Sequence, residues 1–449
     1  MEDSLSFLFP LYVWKLGGMG KLYAEIYGCT ANIADGEIAL GIFKDANWDI
    51  VDKPEDSDII LLVTCTVKKP TSDRMLHRIR VLKTYGKKII VTGCMASGER
   101  KKVKRVEPNA ILVHPRAITR ILEAVETGKD LMVEDGLDKL GRSRVLKNRV
   151  VGIVPVSEGC RWSRCGFCIV PYTRGKFTSY PMDKIIHEAS RLISVGVREV
   201  WLTSQDMGSY GLDLGRNMLP ELIKSIASLP GDFWLRVGMM NPIYLRPIIS
   251  ELAEAYLHPK VYKFLHLPAQ SGSDKILKAM NRGYTISSFK EIIRYMRNKI
   301  GKLTLSTDII VGYPGEDEED FKETVNLIRE IEPDSVNISK FFPRPHTPAE
   351  NLPQLDPRTI KERSVYITKI STEIAYKKNL QWIGWTGTAL VDEVGEKGEA
   401  IARNIYYKPI VLKNECSHSL LGKKVEIEIV DARPHCLIGK LVRTLDKES

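Results

Sequence analysis

Residues 151–168, VGIVPVSEGCRWSRCGFC, decide how the rest of the chain is read. The run opens on uncharged, β-branched residues, the composition of a strand buried on both faces. It then breaks into a loop that places Cys160, Cys165 and Cys168 within nine residues of one another. Three thiols so close share a metal or a cluster more readily than they stay apart. Zinc would call for a fourth Cys or His at ligand spacing, and none lies nearby; an iron–sulfur cluster with one open iron suits three thiolates better.

Working outward toward the C-terminus, β-rich runs recur at 199–203 (EVWLT), 233–237 (FWLRV), 262–267 (YKFLHL), 303–311 (LTLSTDIIV) and 335–341 (SVNISKF). Helical segments at 182–194, 219–228, 273–280, 287–299 and 318–331 separate them. This is βα repetition, whose active site is built from the loops after each strand. Six units cannot close an eight-stranded barrel, so a partial, open (βα)6 barrel is expected, one that admits a large substrate sideways. Its loops carry Ser204, Gln205 and Asp206, then Gly238 and Asn241, then Gln270, Ser271 and Gly272, then Gly312, Gly315 and Glu316. Together they read as a cofactor and substrate lining. Asp308, on a strand, reads as a structural cap of the following turn.

Toward the N-terminus, three more runs each lead into a cysteine: 22–28 into Cys29, 58–64 into Cys65 and 88–93 into Cys94. Helical stretches at 34–45 and 72–84 lie between them, and the spacings of 36 and 29 residues are each about one βαβ unit. An open parallel α/β sheet gathers ligands at the carboxyl ends of its strands, so these cysteines are expected to converge on one crevice. The basic stretch 136–149 reads as a linker. From about 380, five short alternating runs (386–392, 399–404, 410–412, 424–430, 437–442) predict a small OB-like β-barrel. Cys416 and Cys436, with no third partner, read as core residues.

Composition narrows the class. With 449 residues, 43% hydrophobic and 27% charged, the chain can fill several cores and is not a disordered protein. No run reaches the roughly 18–20 apolar residues of a membrane span. Eight cysteines in so long a chain, without a convincing signal peptide, point to a reducing compartment and a cytoplasmic protein rather than to disulfides. Residues 1–18 read as an extension before Met19. The net charge of +10 favours polyanionic partners. Residues 379–449 carry ten basic and ten acidic side chains, whereas 68–88 carry eight basic and one acidic. Lys83, Lys87 and Lys88 are therefore candidate RNA contacts beside the basic and aromatic cluster Arg403, Tyr406, Tyr407 and Lys408.

The run 158–175 (EGCRWSRCGFCIVPYTRG) resembles the cluster loop of radical S-adenosylmethionine (SAM) enzymes, specifically the methylthiotransferases. YAEIYGCTANIADGE, VTCTVKKPTSD, VTGCMASGE, LTSQDMGSYGLD, RVGMMNP, FLHLPAQSGSDKILKAMNRGY, STDIIVGYPGE and FFPRPHTPAE extend the likeness from about Lys21 onward. Residues 66–70 and the run NIYYKPIVL resemble the archaeal and eukaryotic branch, whose substrate is N6-threonylcarbamoyladenosine at position 37 of tRNA. The resemblance implies three domains: 21–135 with an auxiliary 4Fe-4S cluster on Cys29, Cys65 and Cys94; 150–377 with the radical SAM cluster on Cys160, Cys165 and Cys168; and 380–443, an RNA-binding TRAM domain. It implies SAM as cofactor, with Gln205, Asn241 and Gln270 as candidate contacts, a reductant such as ferredoxin or flavodoxin, a sulfur source, and a monomer acting on tRNA. Isopentenyladenosine or a ribosomal-protein Asp are the alternative substrates of related branches, and an RNA-binding Fe-S redox protein is the non-enzymatic alternative. One departure stands out: the family loop is usually Cx3CxxC, and here four residues separate the first two cysteines.

Overall fold

The computed structural model describes residues 20–66, 68–134 and 138–445, apart from the side chains of 414–418. Residues 1–18 and the Cys416 side chain thus lie outside the described residues.

The N-terminal sheet is wholly parallel, with order β2-β1-β3-β4-β5. Its strands are β1 (Lys21–Ile26), β2 (Asp49–Val51), β3 (Ile59–Thr64), β4 (Lys88–Gly93) and β5 (Ile111–Leu112). All six residues of β3 are buried, as an apolar central strand between two helical layers requires. The expected first strand stops two residues early, because Gly28 turns out of the sheet at φ +116°. The short edges β2 and β5 have too few residues to show a period and were not expected.

The central domain has six parallel strands in two sets of three. These are β6 (Val151–Pro155), β9 (Glu199–Thr203) and β10 (Trp234–Val237), then β11 (Phe264–His266), β12 (Thr304–Val311) and β13 (Ser335–Lys340). A parallel bridge from Leu235 to Val261 joins the sets into the expected open half-barrel. The small ribbon β7 (Ser157–Glu158) with β8 (Thr178–Ser179) pinches the base of the cysteine loop. Beyond the barrel, a 24-residue helix, Pro357–Leu380, leads to the last domain.

That last domain is a closed barrel of β14 (Thr386–Val394), β15 (Glu399–Asn404), β16 (Pro409–Cys416), β18 (Leu437–Thr444) and β17 (Lys424–Ala432), with one parallel pair, β16 to β18. Cys436 is corrected here: it is half-buried in the turn before β18 rather than in the core. The expected linker is also corrected. Residues 138–149 form no helix or strand, yet Lys139 and the Arg144 side chain are buried, each against carboxylates of other elements. No described helix is long and apolar enough to cross a membrane.

Candidate functional site

The N-terminal strand order reverses between β1 and β3, which opens a crevice at the carboxyl ends of the strands. Cys29 follows β1, Cys65 follows β3 and Cys94 follows β4. Gly93, at φ +85°, turns the chain so tightly that a Cβ would lie 2.3 Å from the Thr64 carbonyl oxygen. Buried Asn32 fastens these turns: its Nδ2 donates to the Tyr27 and Thr64 carbonyls, each at 2.9 Å. Cys29 is exposed; Cys65 and Cys94 are buried. Burial pushes the Cys94 thiol up, opposed by the nearby Arg174 guanidinium.

The second set of thiols faces the first. Helix Cys94–Gly98 packs on helix Val170–Arg174, which directly follows the cysteine loop, and a Cβ on Gly98 would lie 2.7 Å from Thr173 Cγ2. Burial, reinforced by the Asp206 carboxylate and then by the other two thiols of its loop, raises the Cys160 pKa, and burial with Cys165 pushes Cys168 up to about 12. Such thiols stay protonated until a metal displaces the proton. Arg282 donates to Cys165 Sγ at 3.2 Å and to Asn241 Oδ1 at 3.3 Å. Among the described residues no three His, Cys, Asp or Glu side chains stand at metal-ligating geometry. What the fold supplies is the donor set: two groups of three thiols within electrostatic reach of each other, Cys94 acting on Cys168.

Arg174 ties the two groups together. Its guanidinium is buried and donates to Asp35 at 2.6 Å and to Asn32 at 2.5 Å. Lys139 completes the cluster, reaching Asp35 at 2.6 Å and Glu158 at 2.5 Å. Two cations and two carboxylates, all buried, thus join the N-terminal domain to the base of the barrel's cysteine loop.

The four-residue spacing between Cys160 and Cys165 also has a physical account. Trp162 Nε1 donates to the Asn281 carbonyl at 2.6 Å, and its ring lies where a Cβ on Gly283 would be, 2.6 Å away. Asn281 returns a bond to the Arg164 carbonyl at 3.1 Å. The longer loop is pinned to 281–283 at two points. An aromatic docked against a Gly leaves no periodic signal, so the sequence assigned Trp162 no role.

Beside Cys168 lies a cavity of about 380 Å³, lined among others by Cys168, Gln270 and Arg344, with Lys68 reaching it from the N-terminal domain. On its floor His266 Nε2 lies 3.0 Å from Asp308 Oδ1, and Asn337 donates to the same oxygen at 2.7 Å. Burial raises the Asp308 pKa, but these bonds outweigh it and hold the carboxyl below its usual range. Asp308 is therefore not the expected turn cap; it sits mid-strand and faces this cavity.

Three regions of the chain match known families: residues 21–114 the Uncharacterized protein family UPF0004, 154–328 the Radical SAM superfamily, and 382–442 the TRAM domain. A Pyrococcus horikoshii protein named "Probable threonylcarbamoyladenosine tRNA methylthiotransferase" is 40% identical over 438 residues, covering 94% of this chain and all of that one. The Homo sapiens threonylcarbamoyladenosine tRNA methylthiotransferase is 32% identical over 440 residues, covering 95% and 74%. The chain belongs to the threonylcarbamoyladenosine tRNA methylthiotransferase family. Its fold is also that of solved radical SAM structures. The methyltransferase TsrM of Kitasatospora setae, with cobalamin and a [4Fe-4S] cluster bound, has a TM-score of 0.55 at 12% identity, covering 74% of each chain. The cobalamin-dependent radical enzyme OxsB has a TM-score of 0.52 at 11% identity, covering 77% of this chain and 56% of that one.

The remaining sequence-derived residues are distributed unevenly. Gln270, at φ +68°, lines the cavity. Asn241 is buried, capping Ile243 and accepting from Arg282; Gln205 is half-buried, and its Oε1 has no hydrogen-bond partner among the described residues. Glu316 and Ser271 are structural: Arg363 Nη1 donates to Glu316 at 2.8 Å, and Ser271 meets Thr324 inside the core. Lys83 and Lys88 are exposed and Lys87 half-buried, at the end of β4 remote from Cys94.

The NIYYKP run does not form the expected open RNA-contacting face. Arg403 is paired with Asp392 and Glu393, and Lys408 is buried against Asp334 at 2.7 Å and Asn379 at 2.8 Å. Tyr407 packs on Tyr262 and Phe264, with ring centroids 4.8 and 4.7 Å apart, and Tyr406 on Trp382 at 5.2 Å. This run docks the small barrel on the radical SAM domain. Aromatic and cationic residues serve a joint and a nucleic-acid face equally well, which is why composition could not tell them apart.

Proposed function

We propose that this protein is a radical SAM transferase that methylthiolates C2 of N6-threonylcarbamoyladenosine at position 37 of tRNA. Family membership supports the activity and substrate class, and the observation that carries the reading is the packing of helix Cys94–Gly98, which begins at one cysteine group, on helix Val170–Arg174, which follows the other. In this reading Cys160, Cys165 and Cys168 would hold the radical SAM [4Fe-4S] cluster, and Cys29, Cys65 and Cys94 would hold an auxiliary one that would supply the sulfur. When bound, the clusters with SAM supply the radical and sulfur chemistry needed at an unactivated aromatic C–H bond. The chain's part is orientation and exclusion of water. Arg282 steadies Cys165, Asn32 and Gly93 shape the auxiliary loops, and the close helix contact at Gly98 holds the two domains together there.

SAM is bound along the barrel rim, with Gln270 and Gln205 among its contacts, and the TRAM domain helps hold the tRNA. An external reductant such as ferredoxin or flavodoxin and a sulfur source are required, and the protein acts as a cytoplasmic monomer. Nucleoside mass spectrometry of tRNA, from cells with and without the gene, tests the substrate; persistence of the methylthio derivative of threonylcarbamoyladenosine in the deletion strain overturns it. Anaerobic reconstitution is expected to yield about eight irons per chain. Four irons would remove the second cluster and, with it, the proposed sulfur donor.

A further inference from the structure

The cavity beside Cys168 gathers three cations, the exposed Lys68 and Lys340 and the buried Arg344, on which Glu99 and the Cys65 and Cys168 thiols act. Lys68 enters from the N-terminal domain just beyond Cys65, Lys340 ends β13, and Arg344 follows two residues after Phe342. Arg344 is 3% exposed, and neither of its terminal nitrogens has a hydrogen-bond partner among the described residues. No ion pair engages Lys68 or Lys340 among the described residues, although Lys68 acts on Asp308 across the cavity. Asp308 already accepts from His266 and Asn337. Within the lining, three cations thus face one carboxylate that is otherwise engaged, and the further carboxylate acting on Arg344, Glu99, already pairs with Lys102 and Ser72.

A buried guanidinium whose terminal N–H groups make no hydrogen bond is costly until acceptors arrive to meet them. Its two free Nη atoms form a planar fork, the geometry that matches a carboxylate in a bidentate pair. An isopentenyl side chain offers these groups nothing. A volume of about 380 Å³ is within the range of small-molecule sites. We propose that Arg344, Lys68 and Lys340 bind the free carboxylate of the threonylcarbamoyl side chain and so select a carboxylate-bearing adenine over an apolar one. The assignment rests on the substrate reading above. It makes residues of two domains jointly responsible for specificity, Lys68 from one and Lys340 with Arg344 from the other.

The test uses reconstituted holoenzyme and two tRNAs, one carrying threonylcarbamoyladenosine and one carrying its threoninamide analogue, in which a neutral amide replaces the carboxylate. Wild-type enzyme should show a KM at least tenfold higher for the amide, since losing a charge-assisted contact costs about that much or more. The Lys68→Met/Lys340→Met variant should show a raised KM for the natural tRNA, near-wild-type kcat and iron content, and a smaller difference between the two tRNAs. Equal handling of both tRNAs by the wild type, a comparison that needs no variant to fold, overturns the proposal. So does a double variant that keeps the full discrimination. Failure of the wild type to modify either tRNA would instead overturn the substrate reading itself, so the two failures are distinguishable.

Discussion

Glu37 shows how much a single residue's surroundings decide. It lies on helix Thr30–Asp45, where one carboxylate oxygen accepts from the Lys147 backbone at 3.0 Å and the other has no partner among the described residues. Burial raises its pKa from 4.5 to about 7, against the pull of that hydrogen bond and of Arg144. The folded protein therefore holds a proton that the unfolded chain has lost between those two values. The stability this contributes is complete below about pH 4.5 and lost as pH rises to about 7, an effect on the order of 3 kcal/mol. Glu37→Gln keeps the acceptor and cannot ionise. Its melting temperature should exceed the wild type's at pH 8 and converge with it near pH 4.5; parallel melting curves across that range would remove the argument. The sequence made the six cysteines proposed as cluster ligands conspicuous by their spacing. It could not single out Arg174, Arg282 or Arg344, because nothing in a string of 66 basic residues marks the few that fold inward.

At the scale of elements, the strands that end in cysteines were legible because long buried strands are apolar throughout, as β3 is. Helix Pro357–Leu380 was not, since its buried side includes Arg363, Ser371 and Asn379 and breaks the apolar stripe. The tight turn at Gly93 gives a sharp test. A Cβ there meets the Thr64 carbonyl oxygen, while at Gly86, also at positive φ, it meets nothing within 4 Å. Gly86→Ala should cost about 1 kcal/mol, the backbone penalty alone. Gly93→Ala adds a steric clash inside the sheet and should cost several times more by urea denaturation, with loss of iron bound through Cys94. Equal costs at the two sites would mean that β4 shifts freely. Trp162→Ala tests the pinned loop. Its iron content on Cys160, Cys165 and Cys168 should fall while a Cys160→Ala control loses that iron outright; full retention would show the longer loop needs no anchor.

The whole molecule is held together by charge pairs that cross domain boundaries, and these decide what a distant substitution does. Lys139→Met leaves Asp35 and Glu158 to share Arg174 alone, and breaking a buried network in this way is expected to cost about 3–5 kcal/mol. Lys139→Met with Asp35→Asn, which restores the balance of charge, should recover part of that loss in thermal melting; an additive loss would show that the charges act independently. Charge also bears on how the tRNA lies. Lys87 and Lys88 sit at the start of β4, a strand of six residues, roughly 20 Å long, with Cys94 at its far end, and Lys83 ends the helix that precedes it. A tRNA is long enough to meet both ends, so a phosphate contact there is compatible with a base in the cavity. Lys83 lies 3.3 Å from Glu107 and is partly neutralised, which leaves Lys87 and Lys88 as the stronger contributors. Reversing all three to Glu should weaken tRNA binding and lower the slope of log K against log salt by about 2. Binding and slope both unchanged would put the tRNA on another face, and the basic excess of residues 68–88 would then be only a solvated helix surface.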